Sequence, residues 1–336
     1  MKRLTMLAAV AVFITLAVGP VFAGETLNGA GATFPYPLYS KWFYNYEKET
    51  GTKINYASIG SGGGISQVKA GTVDFGASDA PLKGQELREA GLFQFPMVAG
   101  AVAVVYNLPG FEKGLRLSSM NVVDIYSGKI RKWNDPAIAK DNQGVNLPAI
   151  PVIVVHRSDG SGTTNIFTWY LEDVSLDWKA RVGSGKSVDW PVGIGGKGNE
   201  GVAGIVKQTK GAIGYAELAY ALQNKIPVAM IGNRDGNFVY PSDDTCKAAA
   251  ASAFVPDDFY TRFTYASGKN SYPISGFTYL LVPKKQKDPA KAAAFVKFVE
   301  WAYNNGDKDA TALDYVPLPE KVKKKVRTAL GREVSY

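Results

Sequence analysis

Hydrophobic and polar positions along the chain alternate between strand-like and helix-like patterns. In residues 53–59, hydrophobic and polar side chains alternate, which predicts a strand with one buried face. Uninterrupted apolar runs near 101–106 and 274–282 predict two long buried strands. A helix is predicted after Pro35, because apolar residues recur there at intervals of three and four: Tyr39, Trp42, Phe43 and Tyr46. Repeated alternation of strands and helices predicts an α/β fold with largely parallel sheets.

The two long apolar strands also predict how the chain is divided. We expect them to cross between two lobes and to form the hinge there. The first lobe would comprise residues 24–106 together with 274–336, and the second lobe residues 107–273. A ligand would bind in the cleft between these lobes.

A turn between a predicted strand at 150–155 and a predicted helix at 166–171 carries the densest candidate chemistry. It contains Arg157, Asp159, two glycines and several hydroxyl side chains. Helix N-termini present unpaired N–H groups and a positive dipole end, and glycines let that backbone approach a ligand. The Arg157 guanidinium suits phosphate or carboxylate oxygens, and Asp159 is close enough to orient it or to cap the helix. These features favour an oxyanion site, and an ordinary capped turn with a surface arginine is the alternative.

Familiar nucleotide and nucleophile motifs do not fit the sequence. No Gly-Lys-Ser/Thr follows the first glycine of the turn at Walker spacing. Residues 159–162 do not match the Gly-x-Ser-x-Gly elbow of hydrolases. Residues 193–198 match the dinucleotide fingerprint by letters, but no long strand precedes them. We therefore predict a loop there, followed by a helix at 202–209.

A second glycine turn follows the strand at 53–59. Residues 60–64 contain four glycines and one serine, and a helix is predicted from residue 65 to residue 70. A further short strand ends in Ser78 and Asp79. Taken alone, Asp79 is best explained as the cap of a helix that begins near Pro81.

Composition narrows the classes of function. The 336 residues are 46% hydrophobic and 20% charged, which indicates a globular chain long enough for two domains. The single histidine, His156, and the single cysteine, Cys246, argue against a disulfide, a zinc site and Cys/His catalysis. The densest basic run, 321–327, is predicted to be the solvated face of a C-terminal helix, so a nucleic-acid partner is not expected.

The first 23 residues have the pattern of a signal peptide. Lys2 and Arg3 precede an apolar core at 7–18, and cleavage is expected after Ala23. Without this segment the net charge falls from +8 to +6, since 36 basic residues then face 30 acidic ones. No cysteine lies near the cut, and no later apolar run reaches the length of a membrane span. We therefore expect an exported, soluble, unanchored protein in the periplasm.

Several stretches together resemble the phosphate-binding proteins of bacterial ABC transporters. They are residues 29–35, 59–63, 73–81, 159–163, 195–199 and 211–215. The resemblance covers the expected mature chain in order, and it implies a two-lobed periplasmic binding-protein fold that closes on inorganic phosphate. It also implies delivery of phosphate to the permease subunits of a membrane transporter. Neither an enzymatic activity nor a cofactor is implied, and a monomer is the default for such a receptor.

The resemblance implies a set of phosphate ligands, namely Thr33, Phe34, Ser61, Asp79, Arg157, Ser161, Gly162 and Thr163. Asp159 would hold Arg157. Two positions depart from the pattern of the family. Gly62 stands where a second serine is frequent, and His156 stands beside Arg157 where another arginine is common. His156 is expected to be a neutral residue at the rim, with pH tuning of affinity as the alternative.

Proton counting separates phosphate from other oxyanions. Helix starts near Thr33, Ser61 and Ser161 would converge on one anion. Asp79 would accept the O–H that monobasic and dibasic phosphate carry and that sulfate lacks, so a sulfate-like ligand would leave this acceptor unpaired. A receptor for another tetrahedral oxyanion is the first alternative. A secreted phosphatase is the second, but it needs a base or metals, and only His156 could serve Ser161.

Overall fold

The computed structural model describes residues 25–112, 114–251 and 253–335, and the predicted signal peptide lies outside them. The strands are β1 (Thr26–Gly31), β2 (Lys53–Ser58), β3 (Phe75–Ser78), β4 (Leu92–Tyr106), β5 (Arg116–Leu117), β6 (Ile153–Arg157), β7 (Ile194–Gly196), β8 (Ala212–Glu217), β9 (Met230–Gly232), β10 (Phe238–Val239), β11 (Ser275–Pro283) and β12 (Val316–Pro317). The helices are α1 (Tyr36–Thr50), α2 (Ser61–Ala70), α3 (Gly84–Ala90), α4 (Ser119–Tyr126), α5 (Pro136–Asp141), α6 (Gly162–Val174), α7 (Leu176–Arg181), α8 (Gly198–Gln208), α9 (Leu218–Gln223), α10 (Asp243–Ala250), α11 (Pro289–Asn305), α12 (Asp307–Thr311) and α13 (Glu320–Glu333).

A nine-stranded sheet runs through the molecule in the order β2-β1-β3-β11-β4-β8-β6-β7, with β12 added beside β4. Pairing is parallel at both ends, between β1 and its neighbours and between β6 and its neighbours. Pairing is antiparallel wherever β4 or β11 takes part. The sheet is thus mixed at its centre, and the predicted parallel character holds for its two wings. A smaller sheet, β10-β9-β5, stands apart.

Strand β4 carries the sheet from one wing to the other. Its first part, 92–101, pairs with β11, and its second part, 102–106, pairs with β8. All fifteen of its residues are buried, which explains the uninterrupted apolar run in the sequence. The parallel wings therefore share one continuous central strand, and their carboxyl edges meet beside it.

The aromatic stripe of α1 is buried as its spacing predicts. The helix ends at Gly51, whose φ of 74° and N–H bond to the Glu47 carbonyl close its last turn. Phe43 packs with Phe75 and with Phe298, at ring-centroid distances of 6.4 and 5.2 Å. Helix α11 begins directly after Asp288, whose side chain accepts hydrogen bonds from two backbone N–H groups.

Several local predictions are wrong. Helix α2 begins at Ser61, so three of the four glycines of the second turn lie inside the helix. Gly64 shows the reason, because a Cβ atom there would lie 2.5 Å from the Gly31 Cα atom. Residues 194–196 form strand β7 beside β6, since a parallel neighbour supplies the pairing that the local pattern does not reveal. Asp79 does not cap a helix, because α3 starts at Gly84 after the N-cap Lys83.

The basic run at 321–327 is not solvated throughout. Lys323 is buried, and its Nζ atom donates to the Tyr303 carbonyl at 2.8 Å and to the Asp307 carboxylate at 2.7 and 2.8 Å. A buried ammonium persists there because it is both paired and hydrogen-bonded. Among the described residues, no helix is both long and apolar enough to span a bilayer.

Candidate functional site

The N-termini of α1, α2 and α6 converge where the two wings of the sheet meet. Ser61 joins them, because its Oγ atom accepts hydrogen bonds from the Asp79 N–H at 3.2 Å and from the Gly162 N–H at 3.0 Å. A hydroxyl has two acceptor lone pairs and one proton. With both lone pairs in use, the Ser61 hydroxyl can only donate to a further group.

Strand β6 ends in Arg157, whose side chain is 1% exposed and tightly paired. Its Nε and Nη2 atoms donate to the two Asp159 oxygens at 2.7 and 2.5 Å. Asp159 also accepts from the Gly198 N–H at 3.0 Å. Partial burial opposes ionisation of Asp159, but the Arg157 contacts and this N–H outweigh it and hold the pKa below its usual range. The guanidinium is therefore fixed in orientation, with Nη1 facing the Thr163 hydroxyl at 3.4 Å.

Asp79, at the end of β3, is the acceptor in this cluster. It is 1% exposed, and its Oδ1 atom has no hydrogen-bond partner among the described residues. Burial raises the pKa of Asp79 from 3.8 to about 7, although the nearby Thr278 hydroxyl, the Arg157 charge and the Ser61 hydroxyl oppose that rise. An unpaired buried acceptor is costly, and functional sites are where such costs persist.

Thr33 and Phe34 stand at the entrance to α1 and are held by two buried tyrosines. Tyr220 donates to the Thr33 carbonyl and Tyr315 to the Phe34 carbonyl, both at 2.6 Å. The N–H groups of Phe34 and Thr163 have no acceptor among the described residues. The Thr163 N–H lies in the first turn of α6, and the Phe34 N–H lies just before the N-cap of α1, so both are at helix N-termini, where the dipole stabilises an anion.

The two wings approach each other closely at this point. The Gly62 N–H donates to the Gly160 carbonyl at 2.8 Å. Gly60 has a φ of 85°, and a Cβ atom there would lie 2.2 Å from an Asp159 oxygen. These contacts require glycines without side chains where the two wings approach each other.

The arrangement offers no catalytic pair at Ser161. Its Oγ atom accepts from the Thr164 N–H at 3.0 Å and so caps α6. His156 stacks on Trp190 at 5.1 Å between ring centroids, and its Nδ1 atom contacts the Arg157 carbonyl. Within the described ranges, no cluster of three or more histidine, cysteine or acidic side chains could hold a metal ion.

The structure brings the predicted ligand residues together, and it places beside two of them Asn199, which the prediction did not include. Asn199 contacts the hydroxyls of Thr33 and Thr163 through its side-chain nitrogen, at 2.7 and 3.1 Å. The sequence did contain a clue, because Asn199 closes the glycine-rich stretch 195–199 that contributes to the family resemblance. Its role was not visible locally, since its partners lie 166 and 36 residues away.

Comparison with known proteins identifies the family. A family model described as a PBP superfamily domain matches residues 21–305. The phosphate-binding protein PstS of Pasteurella multocida is 49% identical over 337 residues, which cover 99% of this chain and 97% of the relative. That of Xylella fastidiosa strain Temecula1 is 51% identical over 310 residues, which cover 91% of this chain and 85% of the relative. The chain belongs to the PstS family.

Solved structures support the same fold. A high-affinity periplasmic phosphate-binding protein, PfluDING, bound with phosphate, superposes with a TM-score of 0.74 at 24% identity over 90% of this chain and 93% of the other. The phosphate-binding protein of Stenotrophomonas maltophilia gives 0.69 at 21% identity, over 91% of this chain and 94% of the other. The α/β periplasmic binding-protein fold expected of a PstS chain is thereby confirmed.

Proposed function

We propose that this chain binds inorganic phosphate between the two wings of its sheet and delivers it to an ABC-type phosphate importer. The ligand set is Thr33, Phe34, Ser61, Asp79, Arg157, Ser161, Gly162 and Thr163, with Asp159 orienting Arg157. Its PstS relatives are named as phosphate-binding proteins, and its fold is that of binding proteins. A receptor role without catalysis agrees with the capped, base-free Ser161 hydroxyl.

The balance of donors and acceptors carries the assignment of the ligand. Free N–H groups, an oriented guanidinium and hydroxyls whose lone pairs are already in use all remain available as donors within the proposed ligand set. Within the proposed ligand set, the buried acceptor without a partner is the Oδ1 atom of Asp79. A ligand that satisfies every group must carry several acceptor oxygens and one O–H, which describes monobasic or dibasic phosphate.

A fully ionised oxyanion such as sulfate satisfies the donors but not Asp79. At a pH above the Asp79 pKa of about 7, the sulfate oxygens would face the Asp79 carboxylate with no proton between them. An unpaired buried acceptor together with like-charge repulsion costs several kcal/mol. Discrimination against sulfate therefore rests on one side chain, and this makes the proposal directly testable.

The test is calorimetric titration of the mature protein, stripped of endogenous ligand, with phosphate at pH 8.5 in excess sulfate. We expect one-to-one binding that sulfate does not displace. In Asp79→Asn, the amide can donate to a sulfate oxygen, so sulfate should become a competitor. Absence of phosphate binding by the parent would overturn the proposed function. Unchanged sulfate exclusion in the variant would overturn the role of Asp79.

The domain arrangement and the setting belong to the same proposal. Residues 24–106 with 274–336 form the first lobe and 107–273 the second, with the ligand in the cleft and β4 and β11 at the hinge. The contact between Gly62 and Gly160 joins the two lobes. The protein acts in the periplasm as an unanchored monomer after cleavage behind Ala23, and its partners are the permease subunits of the transporter.

A further inference from the structure

Asn199 is fully buried at the start of α8 and touches two hydroxyls of the proposed ligand set. Its Nδ2 atom lies 2.7 Å from Thr33 Oγ1 and 3.1 Å from Thr163 Oγ1. Its backbone nitrogen also donates to Thr33 Oγ1, at 3.2 Å. One residue therefore connects a hydroxyl near the first helix with a hydroxyl on α6, across the cleft.

The orientation of the Asn199 amide is dictated by the backbone of β8. Its Oδ1 atom accepts a hydrogen bond from the Glu217 N–H at 2.9 Å. A backbone N–H can only donate, so the amide oxygen must face Glu217 and the NH₂ group must face the two hydroxyls. The reversed amide would place two donors against each other in a fully buried space. Both protons and the oxygen of the amide are thus assigned.

Proton counting then sets the direction of both hydroxyls. Thr33 Oγ1 accepts from the backbone and side-chain nitrogens of Asn199, so both of its lone pairs are in use. Thr163 Oγ1 accepts from Asn199 Nδ2 and from Arg157 Nη1. Each hydroxyl retains only its proton for a further bond, and each is therefore a donor.

We propose that Asn199 is a positioning residue that holds the Thr33 and Thr163 hydroxyls as donors toward the bound anion. The inference rests on the proposed function, because the anion is phosphate. Asn199 itself does not need to touch the ligand. Without it, each hydroxyl could turn its proton away and face an anion oxygen with a lone pair. Pre-orientation of donors raises affinity because no reorganisation is needed on binding.

The test measures phosphate affinity of Asn199→Ala by calorimetry at pH 8.5, in the parent and in a Thr33→Val background. In the parent, the substitution should weaken binding about 20-fold, the size expected for two weakened hydrogen bonds to an anion. In the Thr33→Val background it should weaken binding about threefold, because only Thr163 is left for Asn199 to orient. This loss of effect is the coupling that a double-mutant cycle isolates.

Asn233→Ala is the matched control for a purely structural role. Asn233 is also buried, and its Nδ2 atom donates to backbone carbonyls such as that of Ser271. Its loss should lower thermal stability and leave phosphate affinity within about twofold of the parent. An Asn199→Ala effect that is equal in both backgrounds would make Asn199 structural and would overturn the inference.

Asn199→Asp keeps the test decisive if the alanine variant does not fold. The carboxylate has the same shape and still accepts from the Glu217 N–H, but it turns both threonine protons toward itself. We expect a loss of phosphate affinity larger than 20-fold, and parent-like affinity would overturn the inference. Failure of the parent to bind phosphate would instead sink the proposed function. The two failures are therefore distinguishable.

Discussion

Asp79 and Arg157 are the two ionisable residues of the proposed ligand set, and their surroundings are opposite. Both side chains are almost completely buried. Arg157 is neutralised by two hydrogen bonds from its guanidinium to Asp159. Asp79 has an oxygen without a partner and a pKa raised to about 7, because burial disfavours its charged form. Arg157 thus has its partners before a ligand binds, whereas Asp79 lacks a partner until a ligand supplies one.

This difference assigns different roles to the two residues: Arg157 contributes to the affinity for oxyanions, and Asp79 contributes to the choice among them. A paired arginine costs the folded protein little and keeps its Nη1 donor in a fixed direction for any oxyanion. An unpaired carboxylate costs stability in the empty protein, and only a ligand with a proton offsets that cost. We therefore expect changes at Arg157 to affect all oxyanions and changes at Asp79 to affect mainly the choice among them.

Arg157→Ala should have the largest effect. It removes a donor and leaves the Asp159 carboxylate uncompensated beside the ligand, so phosphate affinity should fall roughly 10³-fold, or about 4 kcal/mol. Calorimetry measures the loss directly. Arg181→Ala is the control, because Arg181 pairs with Asp177 at the surface and its removal should leave affinity unchanged. A decrease in phosphate affinity of less than tenfold in Arg157→Ala would contradict the proposed difference between Arg157 and Asp79.

Asp79→Asn should stabilise the ligand-free protein in a pH-dependent way. The pKa of Asp79 is about 7 when folded and about 3.8 when unfolded, so deprotonation destabilises the folded state progressively as pH rises between these values. Asparagine does not titrate. The gain in unfolding free energy should be absent near pH 4 and should reach about 2–4 kcal/mol above pH 7, at about 1.4 kcal/mol per pKa unit.

Denaturant unfolding at pH 4, 6 and 8.5 would measure this gain. Asp74→Asn is a suitable control, because the Asp74 carboxylate is paired with Lys291 at 3.1 Å. Its neutralisation removes an attraction and should bring no gain at any pH. If Asp79→Asn were no more stable than the parent at pH 8.5, the Asp79 carboxylate would not be destabilising the folded protein, and its contrast with Arg157 would be wrong.

His156→Phe should have the smallest effect. The imidazole stacks on Trp190, and a phenyl ring can keep that stacking. Phosphate affinity at pH 5.5 and at pH 8.5 should stay within about twofold of the parent value. A larger loss at one pH would show that His156 tunes the Arg157 side of the cleft.

Individual elements differ in how far their sequence predicts them. Helix α1 was predictable because its apolar spacing, Pro37 and Gly51 all act within one segment. The start of α2 was not, because Gly64 is required by the Gly31 backbone and Gly62 by its close approach to Gly160, and not by local preference. Strand β7 was missed for the same reason, since three residues become a strand only through pairing with β6.

The candidate site also has features that local sequence predicts and features that it does not predict. Local sequence predicts an oxyanion site at the turn around Arg157, because a helix start, glycines and an arginine lie within a few residues there. Only the tertiary structure decided which way the hydroxyls point. That direction depends on contacts between residues far apart in sequence, since Asn199 lies 166 residues from Thr33 and Ser61 lies 101 residues from Gly162. The orientation of a hydroxyl proton depends on which groups surround it in the folded protein, and residue spacing along the chain does not reveal those groups.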